Sequence, residues 1–217
     1  MTLKVLIMIF FVIVAVGDVF AVKYEKIKLR YFTKPLLVPL LALFYITNVA
    51  NPNGFILSAL ICCFLGDLFL LWSQKKTFFI VGLLSFLVGH IFYTIAFLQT
   101  TYFFSGIPKW FYFSLLPYIW YGIFTLKKLN PYLYSMKVPV IVYLNVILIM
   151  SFASFSRIWV LKGLSFWLPF VGSIFFIASD SLLAFRNFKV KLSRGWASIM
   201  ITYILAQLLI IFGFLYV

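Results

Sequence analysis

The sequence predicts an all-α fold, a polytopic membrane bundle of about eight transmembrane helices. Hydrophobic residues make up 65% of the 217 residues and charged residues only 10%, whereas soluble globular domains are about 25% charged. The apolar residues fall into runs long enough to cross a hydrocarbon core, which takes about 20 residues in a helix. The connections contain no polar tract large enough for a soluble domain. We therefore predict a single integral-membrane domain over residues 1–217.

The first two helices are predicted from one apolar run and one helix-start signal. The first run covers residues 3–22. With a lysine before it and small residues at its end it also resembles a cleavable signal peptide, but an acid at Asp18, just before the cleavage point, is atypical of one. We predict that the segment is retained as the first helix. The second helix is predicted over 35–48, because Lys34-Pro35 places a proline in a first helical turn.

Six further apolar runs complete the predicted bundle. They cover residues 54–73, 77–98, 110–126, 138–155, 164–185 and 195–216. Trp72, Trp110 and Trp167 lie near predicted helix ends, where tryptophan anchors helices at the membrane interface. Lys137 with Pro139 opens the sixth helix, as Lys34 with Pro35 opens the second. The adjacent Cys62 and Cys63 lie within the third run and are interpreted as packing residues.

Basic residues indicate the orientation of the bundle. Fourteen of the eighteen lysines and arginines fall on one predicted side, which is cytoplasmic by the positive-inside rule. They are Lys23, Lys26, Lys28, Arg30, Lys34, Lys75, Lys76, Lys127, Lys128, Lys137, Arg186, Lys189, Lys191 and Arg194. The other four are Lys4, Lys109, Arg157 and Lys162. Both termini are therefore predicted to be non-cytoplasmic. We expect the protein in the inner membrane of a bacterium. Because the net charge of +14 belongs to membrane loops, nucleic acid is not expected as a partner.

Three of the four acidic residues, Asp18, Asp67 and Asp180, lie inside apolar runs. Carboxylates are costly in hydrocarbon, so such acids mark functional sites that face a bundle interior or a wet cavity. At about 1.5 Å of rise per residue they lie about 7, 12 and 9 Å from the next basic residue on the cytoplasmic side. The three acids therefore share one predicted depth, as a common cavity requires.

Other polar side chains fall in the same half of the membrane. Asn145 lies about 12 Å and Tyr203 about 13 Å from the cytoplasmic helix ends, with Gln207 one turn further on the same face. His90, the single histidine of the chain, is deeper, at about 21 Å. We expect it at the floor of the cavity without contact to the carboxylates.

Five short motifs are spread over nearly the whole chain. They are TKPLLVPLL (33–41), GDLFLLW (66–72), GHIFY (89–93), FFIASDSLLAF (175–185) and YILAQLLI (203–210). Together they resemble the YhhN-like lysoplasmalogenase family. The resemblance implies an eight-helix membrane protein; some members hydrolyse the vinyl-ether bond of lysoplasmalogens, releasing a fatty aldehyde and a glycerophospho-ethanolamine or -choline. The family's functional acids correspond here to Asp67 and Asp180.

Vinyl-ether hydrolysis needs one proton donor and one base, which suits a pair of acids. Protonation of the alkene carbon gives an oxocarbenium ion, water captures it, and the hemiacetal collapses to an aldehyde and an alcohol. Two neighbouring carboxyl groups in a desolvated site retain a proton that one of them can donate, while the charged one stabilises the cation and orients water. We predict Asp67 and Asp180 as the catalytic pair, with their roles unassigned. Gly66 lets a helix or a ligand approach Asp67 closely.

Six residues are predicted to line the substrate site, and each has a structural alternative. Lys34 either binds the substrate phosphate or anchors the helix; His90 is either a third acid-base group or a polar residue hydrogen-bonded between helices. Asn145, Tyr203 and Gln207 either hold the headgroup or water, or join helices. Asp18 either supports the pair or forms an ion pair with a basic residue. The lipid substrate and the bilayer are the expected partners, and the oligomeric state is open.

Other function classes remain as alternatives. A proton- or ion-coupled transporter also uses buried acids, although here the acids cluster towards one face and no broken helix pair is evident at the midplane. A structural membrane protein would not need these acids. A zinc hydrolase of the ceramidase type needs several histidines, which the chain lacks. We therefore expect a metal-independent ether hydrolase with no cofactor.

A faint internal symmetry accompanies the acids. GDLFLLW at 66 and SDSLLAF at 179 share a pattern four helices apart, and lysine with proline opens both the second and the sixth predicted helix. The pattern fits a 4+4 internal duplication, although matches this short also arise by coincidence.

Overall fold

The computed structural model describes residues 2–101, 107–189 and 196–217, and these residues form helices and short connections without a strand. The eight α-helices are α1 Leu3–Lys23, α2 Ile27–Asn48, α3 Gly54–Leu71, α4 Lys76–Gln99, α5 Leu115–Leu129, α6 Lys137–Ser156, α7 Leu164–Ala184 and α8 Trp196–Phe214. The predicted all-α membrane bundle is confirmed. Of the basic residues assigned to the loop before α8, Lys191 and Arg194 lie outside the described ranges.

Seven of these helices are long and apolar enough to cross a membrane, within the ranges that the structure covers, and the protein is an integral membrane protein. The eighth, α5, has only 15 residues. Its predicted run began at 110, but Lys109–Ser114 forms a 3₁₀ helix instead. Pro117 explains the late start, because proline is best accommodated in the first turn of an α-helix. Seven of the eight predicted membrane spans are thus confirmed within the described residues.

The start of α2 corrects the prediction most clearly. The helix begins at Ile27, eight residues before the predicted start, so Pro35 and Pro39 lie inside it. Lys34 therefore does not precede a helix start. The first two turns carry Lys28 and Arg30 and were too polar to count as an apolar run. They are helical because this segment packs along α1 and membrane-embedded backbone needs internal hydrogen bonds.

Three antiparallel helix pairs organise the bundle: α1 with α2, α3 with α4, and α7 with α8. Further packing of α2 on α3, α4 on α6, α6 on α7 and α1 on α8 joins them. Glycines permit the closest approaches. A Cβ added to Gly172 of α7 would lie 2.9 Å from the Ala206 carbonyl oxygen of α8, and one added to Gly66 of α3 would lie 2.6 Å from the Phe86 ring of α4.

Neighbouring helices recur with a four-helix period. The pairs α2–α3 and α3–α4 of the first half correspond to α6–α7 and α7–α8 of the second. The pair α5–α6 corresponds to α1–α2 in this scheme, but α5 packs far less extensively on α6 than α1 does on α2. This arrangement agrees with the predicted 4+4 duplication, which stays a prediction.

Candidate active site

Asp67 of α3 and Asp180 of α7 line one small cavity, although α3 and α7 belong to different helix pairs. The cavity has a volume of about 30 Å³. A water molecule needs about 10–15 Å³ of such volume, so the site accepts water. We call it the polar cavity; Arg30, Lys34, Asn187 and Tyr203 are among its lining residues. The two acids selected from the sequence therefore face a common space.

Asp67 is held by a cation on one oxygen and by a hydroxyl on the other. Lys34 Nζ lies 3.2 Å from Oδ1, and the Tyr203 hydroxyl donates to Oδ2 at 2.6 Å. The side chains of Asp67 and Lys34 are only 2% and 4% exposed. Charge-assisted contacts of this kind stabilise the ionised carboxylate. The structure thus pairs Lys34 with Asp67, a contact that neither of the two roles predicted for Lys34, phosphate binding or helix anchoring, included.

A chain of hydrogen bonds fixes Tyr203 against Asp67. Gln207, one turn further along α8, donates from Nε2 to the Tyr203 hydroxyl at 3.5 Å. The Tyr93 hydroxyl of α4 donates to Gln207 Oε1 at 2.5 Å. All three side chains are buried, so the chain runs through the packed interior and joins α3, α4 and α8. Tyr203 lines the polar cavity, whereas Gln207 lies behind it.

Asp180 has partners of a different kind. The Tyr143 hydroxyl of α6 donates to its Oδ2 at 2.6 Å, and His90 Nε2 lies 3.8 Å from the same oxygen. Neither partner carries a fixed positive charge. The Asp180 side chain is 13% exposed, which is more than that of Asp67. The two acids are therefore chemically distinct: one is paired with a lysine and the other with a phenol and an imidazole.

His90 lies closer to the acids than predicted. It is fully buried, and its ring meets those of Tyr143 and Phe176 edge-on with centroids 5.6 and 5.0 Å apart. Among the described residues neither ring nitrogen has a hydrogen-bond partner. The depth count assumed that the cytoplasmic ends of α4 and α7 are level, but α7 continues as a π-helix over Phe185–Lys189. Counted from Lys189, Asp180 lies about 13 Å deep instead of about 9 Å, which accounts for part of the difference.

Asp18 and Asn145 lie away from the polar cavity. Asp18 is buried between α1 and α2, where the Thr33 hydroxyl donates to its Oδ1 at 2.8 Å. Its Oδ2 has no hydrogen-bond partner within the described part of the chain. Asn145 is on the exposed face of α6 and donates from Nδ2 to the Ile141 carbonyl oxygen at 2.8 Å. The structure thus does not bring these two predicted residues to the paired acids.

Tyr143 is the contact residue that the sequence interpretation missed. It lies on α6 two positions before Asn145, on a different face of the helix. The signal was available in the spacing of Val140, Leu144 and Ile147, which are buried and mark the core side of α6. Tyr143 borders that side, and Asn145 does not. Polarity alone favoured the asparagine.

The partners of the two acids repeat with the four-helix period. Asp67 on α3 contacts Lys34 of α2 and Tyr203 of α8. Asp180 on α7 contacts Tyr143 of α6 and, at longer range, His90 of α4. The second set of helices is the first set shifted by four: α3 becomes α7, α2 becomes α6, and α8 becomes α4. The two half-sites are built alike and differ in the side chains that they present.

A larger apolar cavity meets the polar one at Asp180. It has a volume of about 380 Å³ and lies between α4, α5, α6 and α7. Asp180, Leu183, Asn187 and Phe79 line both cavities. We call the larger one the inner apolar cavity; its volume lies within the range of about 300–1,000 Å³ typical of small-molecule sites. A carboxyl group therefore stands where a water-sized space meets a hydrocarbon-lined one.

A sequence model described as the YhhN family matches residues 29–214. The match includes both acids, Lys34, His90, Tyr143 and Tyr203. Searches of curated proteins and of solved structures gave no match. In the ranges described above, no group of three or more His, Cys, Asp or Glu side chains is arranged to hold a metal ion. Since the family match covers most of the sequence, the chain belongs to the YhhN family.

Proposed function

We propose that the protein hydrolyses the vinyl-ether bond of lysoplasmalogen-type lipids, releasing a fatty aldehyde and a glycerophospho-alcohol. The observation that carries the proposal is the position of Asp180, which lines both a water-sized polar cavity and a larger apolar one. Hydrolysis of a lipid ether needs water, an acid and space for a hydrocarbon chain at one point. Membership of the YhhN family supports a lysoplasmalogenase-like hydrolase.

The proposed pose puts the hydrocarbon chain in the inner apolar cavity. Its lining is almost entirely apolar, so an alkenyl chain enters it without desolvating polar groups. The glycerophosphate then points towards the polar cavity. Arg30 lines that cavity and supplies positive charge for a phosphate. This pose brings the vinyl ether to the Asp180 carboxyl group.

The different partners of the acids suggest their roles. In our assignment Asp180, which has no fixed cation among its contacts, carries the proton and transfers it to the alkene carbon. Asp67, charge-balanced by Lys34, stays ionised and orients the water. A preorganised carboxylate also stabilises the oxocarbenium ion electrostatically.

The proton balance closes with these two groups. Water adds to the oxocarbenium carbon while Asp67 accepts a proton from it. Asp67 then protonates the glycerol oxygen of the hemiacetal, the C–O bond breaks, and the hemiacetal hydroxyl returns a proton to Asp180. One water is consumed, and both carboxyl groups end in their starting states. Neither oxidant nor reductant takes part.

The test is aldehyde release by the purified protein from an alkenyl lysophospholipid and from its saturated ether analogue. We expect release from the alkenyl lipid only, because protonation needs the double bond. Asp180→Asn and Asp67→Asn should both lose activity, whereas Asn145→Ala, on the exposed face of α6, should retain it. Release from both lipids, or from neither, contradicts the proposal. Full activity in Asp67→Asn contradicts the base role alone.

The transporter alternative has its own measurement. Proteoliposomes containing the wild-type protein or Asp67→Asn are compared for proton or cation flux. Flux that disappears in the variant, with no aldehyde formed by the wild type, favours transport over hydrolysis.

A further inference from the structure

Asn145 is a polar residue on the outside of the bundle, at a depth where the bilayer consists of hydrocarbon. It lies about 12 Å along α6 from Lys137, the first residue of that helix. The hydrocarbon core of a bilayer is about 30 Å thick. The Asn145 side chain is exposed, as are those of Val142 and Ile149 on the same face. The carboxamide therefore faces lipid chains.

This carboxamide has an unused donor and an unused acceptor. Its Nδ2 donates to the Ile141 carbonyl oxygen, and the side chain makes no other hydrogen bond among the described residues. A second N–H and the amide oxygen remain. Lipid chains supply a partner for neither, and an unsatisfied polar group in hydrocarbon costs free energy. Exposed apolar residues are ordinary in a bilayer, but an exposed amide indicates that another protein surface covers it.

The exposed face of α6 has the spacing of a helix–helix contact. Its exposed residues follow one another at intervals of four, three and four residues, and they are Val138, Val142, Asn145 and Ile149. This is the a and d spacing of a left-handed coiled coil, the crossing geometry of most membrane helix bundles. We call these four residues the α6 seam. A single asparagine in such a seam specifies register and oligomeric state.

A groove lies beside the α6 seam on the same surface. It has a volume of about 210 Å³ and runs between α5 and α6, with Asn145 and Ile149 in one wall. Ile119 and Ile123 of α5 are in the other wall, and Gly122 lines the groove without a side chain to fill it. A ridge and a groove side by side form a surface that can complement itself across a twofold axis, because each copy offers both.

We propose that α6 docks against α6 of a second copy of this chain, with the α6 seam of each copy against the groove of the other. Asn145 and the partner's Asn145 then form reciprocal hydrogen bonds, each donating its free N–H to the oxygen of the other. A second copy is the partner that fits, because a twofold axis along the membrane normal brings donor and acceptor to the same depth in both chains. Lipid headgroups lie outside the hydrocarbon core and do not reach this depth.

The dimer leaves each active site complete, and it goes beyond the proposed hydrolysis. Asp67, Asp180 and their hydrogen-bonding partners all belong to one copy. Val138 and Val142 also line the inner apolar cavity, so the partner helix covers that side of it. Leu84 of α4 lines the same cavity and is exposed. This second side stays open to the bilayer.

The first test measures dimerisation in liposomes, by single-molecule photobleaching over a range of protein-to-lipid ratios. Asn145→Leu keeps the size of the side chain and removes the amide. Because two interhelical hydrogen bonds are lost, the dimer dissociation constant should rise roughly tenfold. Thr202→Val is the matched control, since the Thr202 hydroxyl already contacts the Ser198 and Ile199 carbonyl oxygens of its own helix. A monomeric wild type, or equal constants in wild type and Asn145→Leu, overturns the proposal, as does equal weakening by both variants.

Disulfide cross-linking tests the α6 seam itself. With the native Cys62 and Cys63 replaced by alanine, Ile149→Cys should give a disulfide-linked dimer on oxidation, because Ile149 lies one turn from Asn145. Leu84→Cys, at an exposed position of α4, should not. Adding Asn145→Leu should lower the yield from Ile149→Cys. Equal yields from the two cysteine positions indicate random collisions and overturn the proposal.

Filling the groove is an independent test. Ile123→Trp adds a large ring at the wall of the groove, whereas Leu116→Trp adds the same ring at an exposed position of α5 that does not line it. We expect weaker dimerisation in Ile123→Trp only. Equal dimerisation in the two variants refutes a contact that includes the groove.

Discussion

The ammonium group of Lys34 and the carboxylate of Asp67 form an ion pair of 3.2 Å in which both side chains are more than nine-tenths buried. Charges in a low-dielectric interior need a partner, because removing an ion from water is costly. Each residue supplies that partner for the other. The pair joins α2 to α3 at the wall of the polar cavity, so the same contact affects both packing and the charge of the site.

Replacing Lys34 should therefore harm stability and activity together. Lys34→Met keeps the length of the side chain but leaves Asp67 without its cation. Breaking a buried ion pair from one side costs about 3–5 kcal/mol. We expect a loss of this order in denaturant unfolding of the purified protein and a loss of aldehyde release. Wild-type stability in this variant would contradict an energetically important pair.

A double variant separates the two effects. Lys34→Met combined with Asp67→Asn removes both charges, and a neutral pair of similar volume is tolerated well in interiors. The double variant should regain most of the stability lost by Lys34→Met and should stay inactive. Recovery of activity would show that Asp67 does not take part in the reaction.

Tyr143 should position the Asp180 carboxyl group. Tyr143→Phe removes the 2.6 Å hydrogen bond and keeps the ring. In the proposed reaction Asp180 becomes a carboxylate as it gives up its proton, and a hydrogen bond to a charged group contributes about 1.5–3 kcal/mol, which corresponds to a roughly ten- to hundredfold change in rate. We expect kcat for aldehyde release to fall within that range with little change in KM. Tyr118→Phe is the matched control, since its hydroxyl lies 3.4 Å from Ser151, outside the polar cavity. Equal losses in both variants would indicate a general packing defect.

The sequence predicted the helices, because hydropathy depends on local composition. Helical rise placed three acids at one depth, and the family resemblance singled out Asp67 and Asp180, the two that line a common cavity. It did not predict the Lys34–Asp67 pair. A lysine near a helix end looks the same whether it anchors in headgroups or turns inward, and only the early start of α2 turned this one inward. Tyr143 was missed for a related reason. Whether a side chain reaches the site depends on the face of the helix that packs inward, and tertiary packing decides that face.

Replacing His90 shows whether this residue acts as an acid-base group or serves only in packing. Both ring nitrogens lack hydrogen-bond partners among the described residues, which costs stability in a buried position. His90→Phe removes those polar atoms and preserves the edge-on contacts with Tyr143 and Phe176. We expect unfolding to need as much denaturant as in wild type, or more, while aldehyde release falls. Unchanged release would assign His90 to packing alone.

Gly66 should tolerate no side chain, whereas Gly54 on the same helix should tolerate one. A Cβ at Gly66 would lie 2.6 Å from atoms of the Phe86 ring, but one at Gly54 would have no atom within 4 Å. Overpacking a well-filled interior costs about 1–3 kcal/mol. Gly66→Ala should therefore unfold at lower denaturant concentration and, because Asp67 is the next residue, should also reduce aldehyde release. Gly54→Ala should leave aldehyde release unchanged and should not lower stability, since alanine favours the helix. If the two variants behave alike, the close packing of α3 on α4 does not set the position of Asp67.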